Sequence, residues 1–287
     1  MNILLTGSSG FIGKHFLSLK EDRYNIIPKY DLINLQMNDF DGIDTVVHLA
    51  GLTNINNKTQ LKSFLESNLE ITKTLASNAK KAKVNQFIFL STIKVHASNI
   101  SSRINEKTSC NPDTHYGLSK QLAEDALREI ETSEFRVAII RSPVVYGPEV
   151  KGRILNLIKF SDTPLPLPFK NLNSQFTAVF VGNLVQLINR IIDRNAHGIF
   201  LAGDPDSKNL EAFIYLMRYF LKRNPRFFNM PNFVLQFIRN FNKNLFLNLT
   251  KSSNVDNSMT NEILDFNPPY TISHGVNQTI DWYKGVT

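Results

Sequence analysis

Gly7, Gly10 and Gly13 follow the short apolar run Ile3-Leu-Leu in the order Gly7-Ser-Ser-Gly10-Phe-Ile-Gly13, and the stretch Lys14–Leu19 then has a helical pattern. A buried strand that turns on glycine directly into a helix is the entry of a Rossmann-type doubly wound parallel α/β sheet. Gly7 permits the tight turn, Gly10 removes a side chain where a bulky anion must approach, and Gly13 lets the helix lie close to the sheet. The unpaired amides at the start of such a helix bind phosphate. Gly7, Gly10, Phe11, Ile12 and Gly13 therefore read as the pyrophosphate-binding turn of a dinucleotide, NAD or NADP, with a purely structural glycine turn as the plainer alternative.

The next strand is expected at Ile26-Ile27, ended or redirected by Pro28. Asp31 is placed to accept hydrogen bonds from an adenosine ribose, Lys29 would instead favour a ribose phosphate, and an ordinary turn aspartate is the third option. The choice between NAD and NADP stays open at this point. Asp44-Thr-Val-Val-His48-Leu49-Ala50-Gly51 has the apolar rise and small-residue ending of a strand that meets a ligand. Without a metal-ligand constellation around it, His48 reads as structural or as a cofactor-edge residue. Leu61–Ala79 is expected to be helical and Phe87–Leu90 a buried strand, with the hydroxyls of Ser91 and Thr92 at its end.

Tyr116-Gly-Leu-Ser-Lys120 adds chemistry to this frame, because residues four apart share one face of a helix. A tyrosine phenol titrates near pH 10, and a neighbouring ammonium ion is expected to lower that value and ready the group for proton transfer. Thr92 would orient a reacting oxygen, Tyr116 would move its proton, and Lys120 would tune Tyr116 and hold the cofactor ribose. A surface tyrosine and a snorkelling lysine would satisfy the spacing equally well. Arg136–Ile140 is expected as a further strand, followed by the constrained loop Arg141–Pro148, in which Pro143 forms a wall of the site. Lys151, Asn156 and the proline-broken stretch 164–168 are expected to divide the cofactor portion from a substrate portion.

The formal net charge of +7 favours anionic partners, and from Leu210 to Lys251 seven basic residues face one acidic residue, Glu211. Phe213, Phe220, Phe233, Phe237 and Phe241 recur at roughly helical intervals, which favours a helix core over a base-stacking surface, so no stable nucleic-acid partner is expected. The single cysteine, Cys110, excludes an internal disulfide and suits a reducing cytosol. The opening residues lack a basic leader and the apolar runs are short, so neither export nor membrane insertion is expected and the protein reads as cytoplasmic.

These motifs together resemble the extended short-chain dehydrogenase/reductase family, in its nucleotide-sugar epimerase/dehydratase branch, through the glycine turn, His48-Leu-Ala-Gly51, Ser91-Thr92 and Tyr116-Gly-Leu-Ser-Lys120. Ser91-Thr-Ile-Lys-Val95, Val145-Tyr-Gly-Pro148, Val255-Asp-Asn-Ser258 and Asn267-Pro-Pro269 are similar to bacterial UDP-4-keto-6-deoxy-N-acetylhexosamine 4-reductases of surface-polysaccharide synthesis. The resemblance implies Thr92, Tyr116 and Lys120 as the catalytic set. It also implies Asn68 as support for the cofactor region, Pro143 beside the nicotinamide and a UDP-linked sugar as substrate, for which Lys94, His96, Lys151 and Asn156 are candidate contacts, while the basic 218–251 stretch makes Arg218 and Arg239 candidates for its diphosphate. The implied activity is NAD(P)H-dependent reduction at C4, with 4-epimerisation as the near alternative and an inactive cofactor-binding scaffold as the remote one. Phe176 replaces a frequent arginine, Gly182 a usual aspartate, and His96 an asparagine or tyrosine. The cofactor core is expected over residues 1–165 with a return at 176–205, a substrate region over 146–175 and 206–270, and a C-terminal helix and tail over 271–287. A homodimer is the expected assembly.

Overall fold

The computed structural model describes residues 1–53, 60–97, 103–170, 175–205, 208–229 and 254–286. Six parallel strands form the central sheet: β1 (Asn2–Thr6), β2 (Asn25–Lys29), β3 (Thr45–His48), β4 (Gln86–Thr92), β5 (Arg136–Ser142) and β10 (Gly198–Leu201), in the order β10-β5-β4-β3-β1-β2. The chain runs outward from β1 to β2, then returns to the other side of β1 and continues through β3, β4, β5 and β10. That reversal opens a crevice beyond the carboxyl ends of β1 and β3, where sheets of this kind receive ligands.

Alternation along each strand divides the apolar side chains between two layers. Ile3, Leu5, Val47, Ile88 and Ile140 pack with Phe16 of α1 (Phe11–Ser18) and with Leu184, Ile188 and Ile191 of α6 (Val181–Asp193). Leu4, Val46, Phe87, Phe89 and Ile139 pack on the other face with Leu75 and Ala79 of α3 (Ile71–Lys81) and with Ala123 and Leu127 of α4 (His115–Ile130). Pro28 lies inside β2 rather than ending it, as the sequence had suggested. β2 is the edge of the sheet and bonds only to β1, so the missing amide breaks no ladder on its outer side.

A second, smaller region has its own core of Tyr146, Ile154, Ile158, Phe176, Phe180, Phe213, Met217, Val276 and Ile280. It gathers β6 (Val144–Tyr146), α5 (Arg153–Ser161), β7 (Leu167–Lys170), β8 (Gln175–Phe176), β9 (Ala178–Phe180), β11 (Lys208–Asn209), α7 (Leu210–Phe220), β12 (Phe227–Asn229) and the C-terminal helix α9 (Ile272–Val286). The shorter α8 (Ser258–Leu264) packs Leu264 into the sheet-side core. Asp204 fastens the two regions: its carboxylate accepts from the Tyr146 hydroxyl at 2.7 Å, the Asn183 amide at 2.7 Å and the Phe180 backbone at 2.9 Å. Burial pushes this carboxyl up to about 6, against the pull of those three donors. Gly182, where an aspartate was expected, sits against aromatic rings: a Cβ there would lie 2.5 Å from the Phe180 ring and 3.0 Å from that of Tyr270. Phe213 is fully buried and Phe220 partly so, whereas Phe233, Phe237 and Phe241 lie outside the described residues.

Arg218 is wholly buried, and its guanidinium donates to the carbonyls of Asn224 at 2.8 Å, Ser161 at 3.1 Å and Thr163 at 3.2 Å. It thus caps the C-terminal end of α5, where helical carbonyls lack partners and the helix dipole favours a cation. Replacing it by alanine strands the Ser161 and Thr163 carbonyls, that of Asn224 keeping the Arg226 amide at 2.9 Å, and Arg218→Ala is expected to cost about 2–4 kcal/mol. Urea unfolding checks this, and Arg218→Lys, which keeps the charge but loses the planar fork, should recover only part of the loss.

Candidate active site

The turn between β1 and α1 is built by close backbone contacts. Gly7 has φ +73°, and a Cβ on it would lie 2.6 Å from the Ala50 amide nitrogen. A Cβ on Gly13 would overlap the Gly7 carbonyl, so glycine at 13 lets the first turn of α1 fold back over the loop. The Gly10 amide donates to the Gly7 carbonyl at 3.0 Å, which leaves the amides of the first helical turn facing the crevice end. The Ser8 hydroxyl, inside this turn, is buried without a partner. Phe11 and Ile12 turn their side chains into the two cores.

At the end of β3, one hydrogen-bond chain fixes the state of His48. The Ala50 amide donates to the Thr6 hydroxyl at 3.3 Å, that hydroxyl donates to His48 Nδ1 at 2.6 Å, His48 Nε2 donates to the Thr72 hydroxyl at 3.0 Å, and Thr72 donates to the Asn68 carbonyl at 2.8 Å. Only the neutral Nε2–H tautomer completes this chain. Burial first, and the Lys120 charge second, push the ring down to about 3. His48 is thus a spacer between sheet and helix with no lone pair to offer a substrate.

Asn68 sits in a π-wound turn, Glu66–Glu70, between α2 (Leu61–Leu65) and α3, a winding often found at functional sites. Its side-chain oxygen accepts from the Leu52 amide at 2.7 Å, and its nitrogen donates to the Leu52 carbonyl at 2.9 Å and the Ser119 hydroxyl at 3.0 Å. The buried amide therefore ties the loop Leu49-Ala50-Gly51 to α4.

The Tyr116 phenol lies beside the Thr92 hydroxyl, close enough for Thr92 to favour the ionised phenol. The geometry that allows it rests on Gly117, since a Cβ there would overlap the Lys94 carbonyl. Thr114 caps α4 by accepting from the Gly117 amide at 3.0 Å, which sets the first turn and Tyr116 against the end of β4. Lys120 lies one turn further along, buried, its Nζ 3.8 Å from the centre of the Phe89 ring. Burial pushes the Tyr116 phenol up to about 12, with the neighbouring Thr92 hydroxyl pulling the other way, and pushes Lys120 down to about 7, opposed by the charge of Glu124. This corrects the sequence expectation for the resting tyrosine: loss of solvent outweighs any help from the lysine.

The remaining sequence-derived residues divide by position. Pro143 is buried at the same sheet edge, directly after Ser142, the register partner of Thr92. Asp31 is exposed and accepts from the Ile33 and Asn34 amides at 3.0 and 3.2 Å and from the Asn34 side chain at 2.7 Å. Those donors, the Asn34 side chain foremost, hold its carboxyl below the usual range. Lys29 pairs with Asp39. Lys94 is exposed with its amine 5.4 Å from the centre of the Tyr116 ring. Lys151 and Asn156 are exposed at the start of α5. His96 is buried away from this group: its Nδ1 donates to the Ser109 carbonyl at 3.0 Å, and Arg141 approaches its Nε2 at 3.5 Å. Arg218 is occupied with carbonyls, as described, and Arg239 lies outside the described residues. Sequence reasoning missed Gly117, Ser119, Glu124 and Arg141. Glu124 was within reach of it, because it continues the four-residue spacing of Tyr116 and Lys120. Among the described residues, no three His, Cys, Asp or Glu side chains are grouped as metal ligands would be, and no helix is long and apolar enough to cross a membrane.

The NAD dependent epimerase/dehydratase family model matches residues 3–203. A UDP-glucose 4-epimerase of Vibrio cholerae is 30% identical over 97% of this chain and 94% of that protein. Among solved structures, the UDP-N-acetylglucosamine 4-epimerase of Bacillus cereus superposes with a TM-score of 0.82 at 20% identity, over 99% of this chain and all of the other. The UDP-glucuronic acid 4-epimerase of Bacillus cereus in complex with NAD gives 0.80 at 19%, over 100% of this chain and 99% of the other.

The buried neutral His48 carries a pH signature. Its folded value, about 3, lies below the ordinary 6.5, so the unfolded chain takes up the proton first as pH falls. The stabilisation is complete above pH 6.5 and is lost progressively toward pH 3, by an amount of about 5 kcal/mol at most. Urea midpoints measured across that window should fall more steeply with acid in the wild type than in His48→Gln.

Proposed function

The chain belongs to the NAD dependent epimerase/dehydratase family, and on that premise we propose that it interconverts the C4 epimers of a UDP-linked hexose or N-acetylhexosamine. The observation that carries this reading is the juxtaposition of Thr92 and Tyr116 at the end of β4, with the buried Lys120 one turn away. The similarity to the Vibrio cholerae UDP-glucose 4-epimerase across nearly the whole chain supports the choice of epimerisation and of a UDP-sugar.

The residues present fit a bound NAD or NADP. The turn excludes every Cβ at Gly7 and Gly13, and the Ser8 hydroxyl is a buried donor with no protein acceptor, the arrangement a pyrophosphate would complete. Gly7, Gly10, Phe11, Ile12 and Gly13 would hold the pyrophosphate, Asp31 the adenosine ribose, Leu49, Ala50, Gly51 and Asn68 the middle of the molecule, and Lys120 and Pro143 the nicotinamide end. When bound, the dinucleotide supplies reversible hydride exchange with the sugar carbon. Tyr116 takes the proton from the C4 hydroxyl and returns it to the oxygen of the opposite epimer. Thr92 donates a hydrogen bond to that oxygen and so favours the form with more negative charge. Lys120, when charged, stabilises the tyrosinate that Tyr116 must become. The buried surroundings exclude water that would compete for the proton.

A second reading is C4 reduction of a UDP-linked 4-keto-6-deoxy-N-acetylhexosamine. Two observations favour it: the run Ser91-Thr-Ile-Lys-Val95, and a Tyr116 phenol pushed up to about 12, which at neutral pH starts as an acid rather than a base. Product analysis separates the two. Exchange between UDP-glucose and UDP-galactose, or between their N-acetylamino counterparts, without net use of NADH or NADPH is the expected result. Consumption of reduced cofactor on a 4-keto sugar, with no epimer exchange, would establish the reductase instead.

Tyr116→Phe keeps the ring and removes the proton, so turnover is expected to fall by about 10²–10⁴-fold with cofactor affinity near wild type. Gly13→Ala is expected to abolish NAD(H) binding in a fluorescence titration while the circular dichroism of the sheet and helices persists.

A further inference from the structure

Tyr116, Lys120 and Glu124 form one stripe along α4, each one turn from the last, and the mechanism above leaves Glu124 without a task. Its side chain is completely buried. The Ser91 hydroxyl donates to Oε1, and the Arg141 guanidinium approaches both oxygens, Nε at 3.3 and 3.1 Å and Nη2 at 2.7 Å. Ser91 and Arg141 are register partners on β4 and β5, immediately before Thr92 and Ser142, so the cluster lies directly beneath the reacting edge of the sheet. The other donors of Arg141 reach Cys110 Sγ at 3.1 Å and His96 Nε2 at 3.5 Å, which fixes the fork in place. A carboxylate clamped from two strands is a rigid negative charge, with no freedom to swing toward solvent.

We propose that Glu124, pinned by Ser91 and Arg141, is a positioning residue that keeps the buried Lys120 amine in its charged form and thereby keeps Tyr116 competent in proton transfer. The proposal rests on the role given to Tyr116 and Lys120 above. The groups that face Lys120 are few. Tyr116 and Glu124 lie on its own helix, His48 comes from β3, Phe89 from β4 and Asn68 from the π turn, and Arg141 of β5 is reached through Glu124. His48 is neutral, Phe89 and Asn68 carry no charge, and the phenol is protonated at rest. Among the described residues, Glu124 is therefore the anion that opposes the burial driving the amine toward its neutral form.

The test reads the lysine directly, without any sugar. In the full-length protein labelled with ¹³C-lysine, the Lys120 Cε resonance is assigned by its loss in Lys120→Arg and followed from about pH 5.5 to 9, the range around its displaced midpoint. Glu124→Gln should move that midpoint to lower pH by about one unit, the effect of losing a nearby opposite charge. Ser91→Ala, which retains the carboxylate, should leave it close to wild type. Because Glu124→Gln leaves Arg141 buried without a counter-ion, the double variant Glu124→Gln/Arg141→Met removes both charges together and gives a second folded protein for the same titration. With substrate present, the loss of kcat at high pH should begin about one unit earlier in the variant that shifts the resonance, with KM little changed. An unmoved Lys120 midpoint in Glu124→Gln against the wild type, or in the double variant against Arg141→Met alone, overturns the proposal. A moved midpoint with no sugar turnover in any protein, wild type included, would instead refute the epimerase reading and leave the electrostatic role standing.

Discussion

How closely the helix bearing Tyr116 approaches the strand bearing Thr92 decides whether this sheet edge has any chemistry, and that approach is set at Gly117. Any larger residue would strike the Lys94 carbonyl and lift the first turn of α4 from the end of β4. The Thr114 cap and the Ser119 hydroxyl, which donates back to the Tyr116 carbonyl at 2.9 Å, hold the same turn from the other side. Asn68 then extends the constraint to the loop after β3 through Ser119. The cofactor-side loop and the helix start are thus one hydrogen-bonded unit that holds Tyr116 beside Thr92, and displacement of one element would be felt by the others.

Burial governs the ionisation of this unit more than proximity of charge does. Tyr116 is pushed up, Lys120 and His48 are pushed down, and each shift has loss of solvent as its first cause. Such displacements mark sites where a protein holds groups away from their resting protonation in water. The counterweight is local: a clamped carboxylate beneath the lysine, a threonine hydroxyl beside the tyrosine, and two threonines that satisfy both ring nitrogens of the histidine.

Much of this was legible in the sequence because the informative residues act through backbone geometry and helical spacing. Glycines at 7 and 13 have no substitute where carbonyls and amides come within contact of the Cβ position, and Tyr116 and Lys120 share a face whichever way the helix is turned. The ionisation state was not legible, since the same Tyr–Lys pair would behave differently at a solvated surface. Nor was the direction of long cationic side chains. Arg218 belongs to a basic stretch that suggested contact with a diphosphate, yet it points inward to cap a helix, because the Ser161 and Thr163 carbonyls, which lack backbone donors, offer a guanidinium what water otherwise would. His96, one turn beyond Thr92, was equally ambiguous, and packing drew it toward Arg141. Pro28 shows the reverse case, a residue whose usual effect on a strand is cancelled by an edge position.

The π-wound turn at Glu66–Glu70 has a consequence for the angular phase of the whole helical segment. Phe64, Asn68 and Thr72 are all buried, although steps of four residues along a regular α-helix would drift progressively around its axis. Slack winding at the centre cancels that drift and lines the three up toward the sheet and α4. A π turn takes up one more residue than an α turn, so deleting one residue from it would restore regular winding with α3 close to its present phase. Leu75 and Ala79 would stay on the sheet, and the loss would fall on the side chains inside the turn, Asn68 above all. The extra residue is thus what aims the asparagine, so the residue count of the turn is as much a part of the site as the residue it presents.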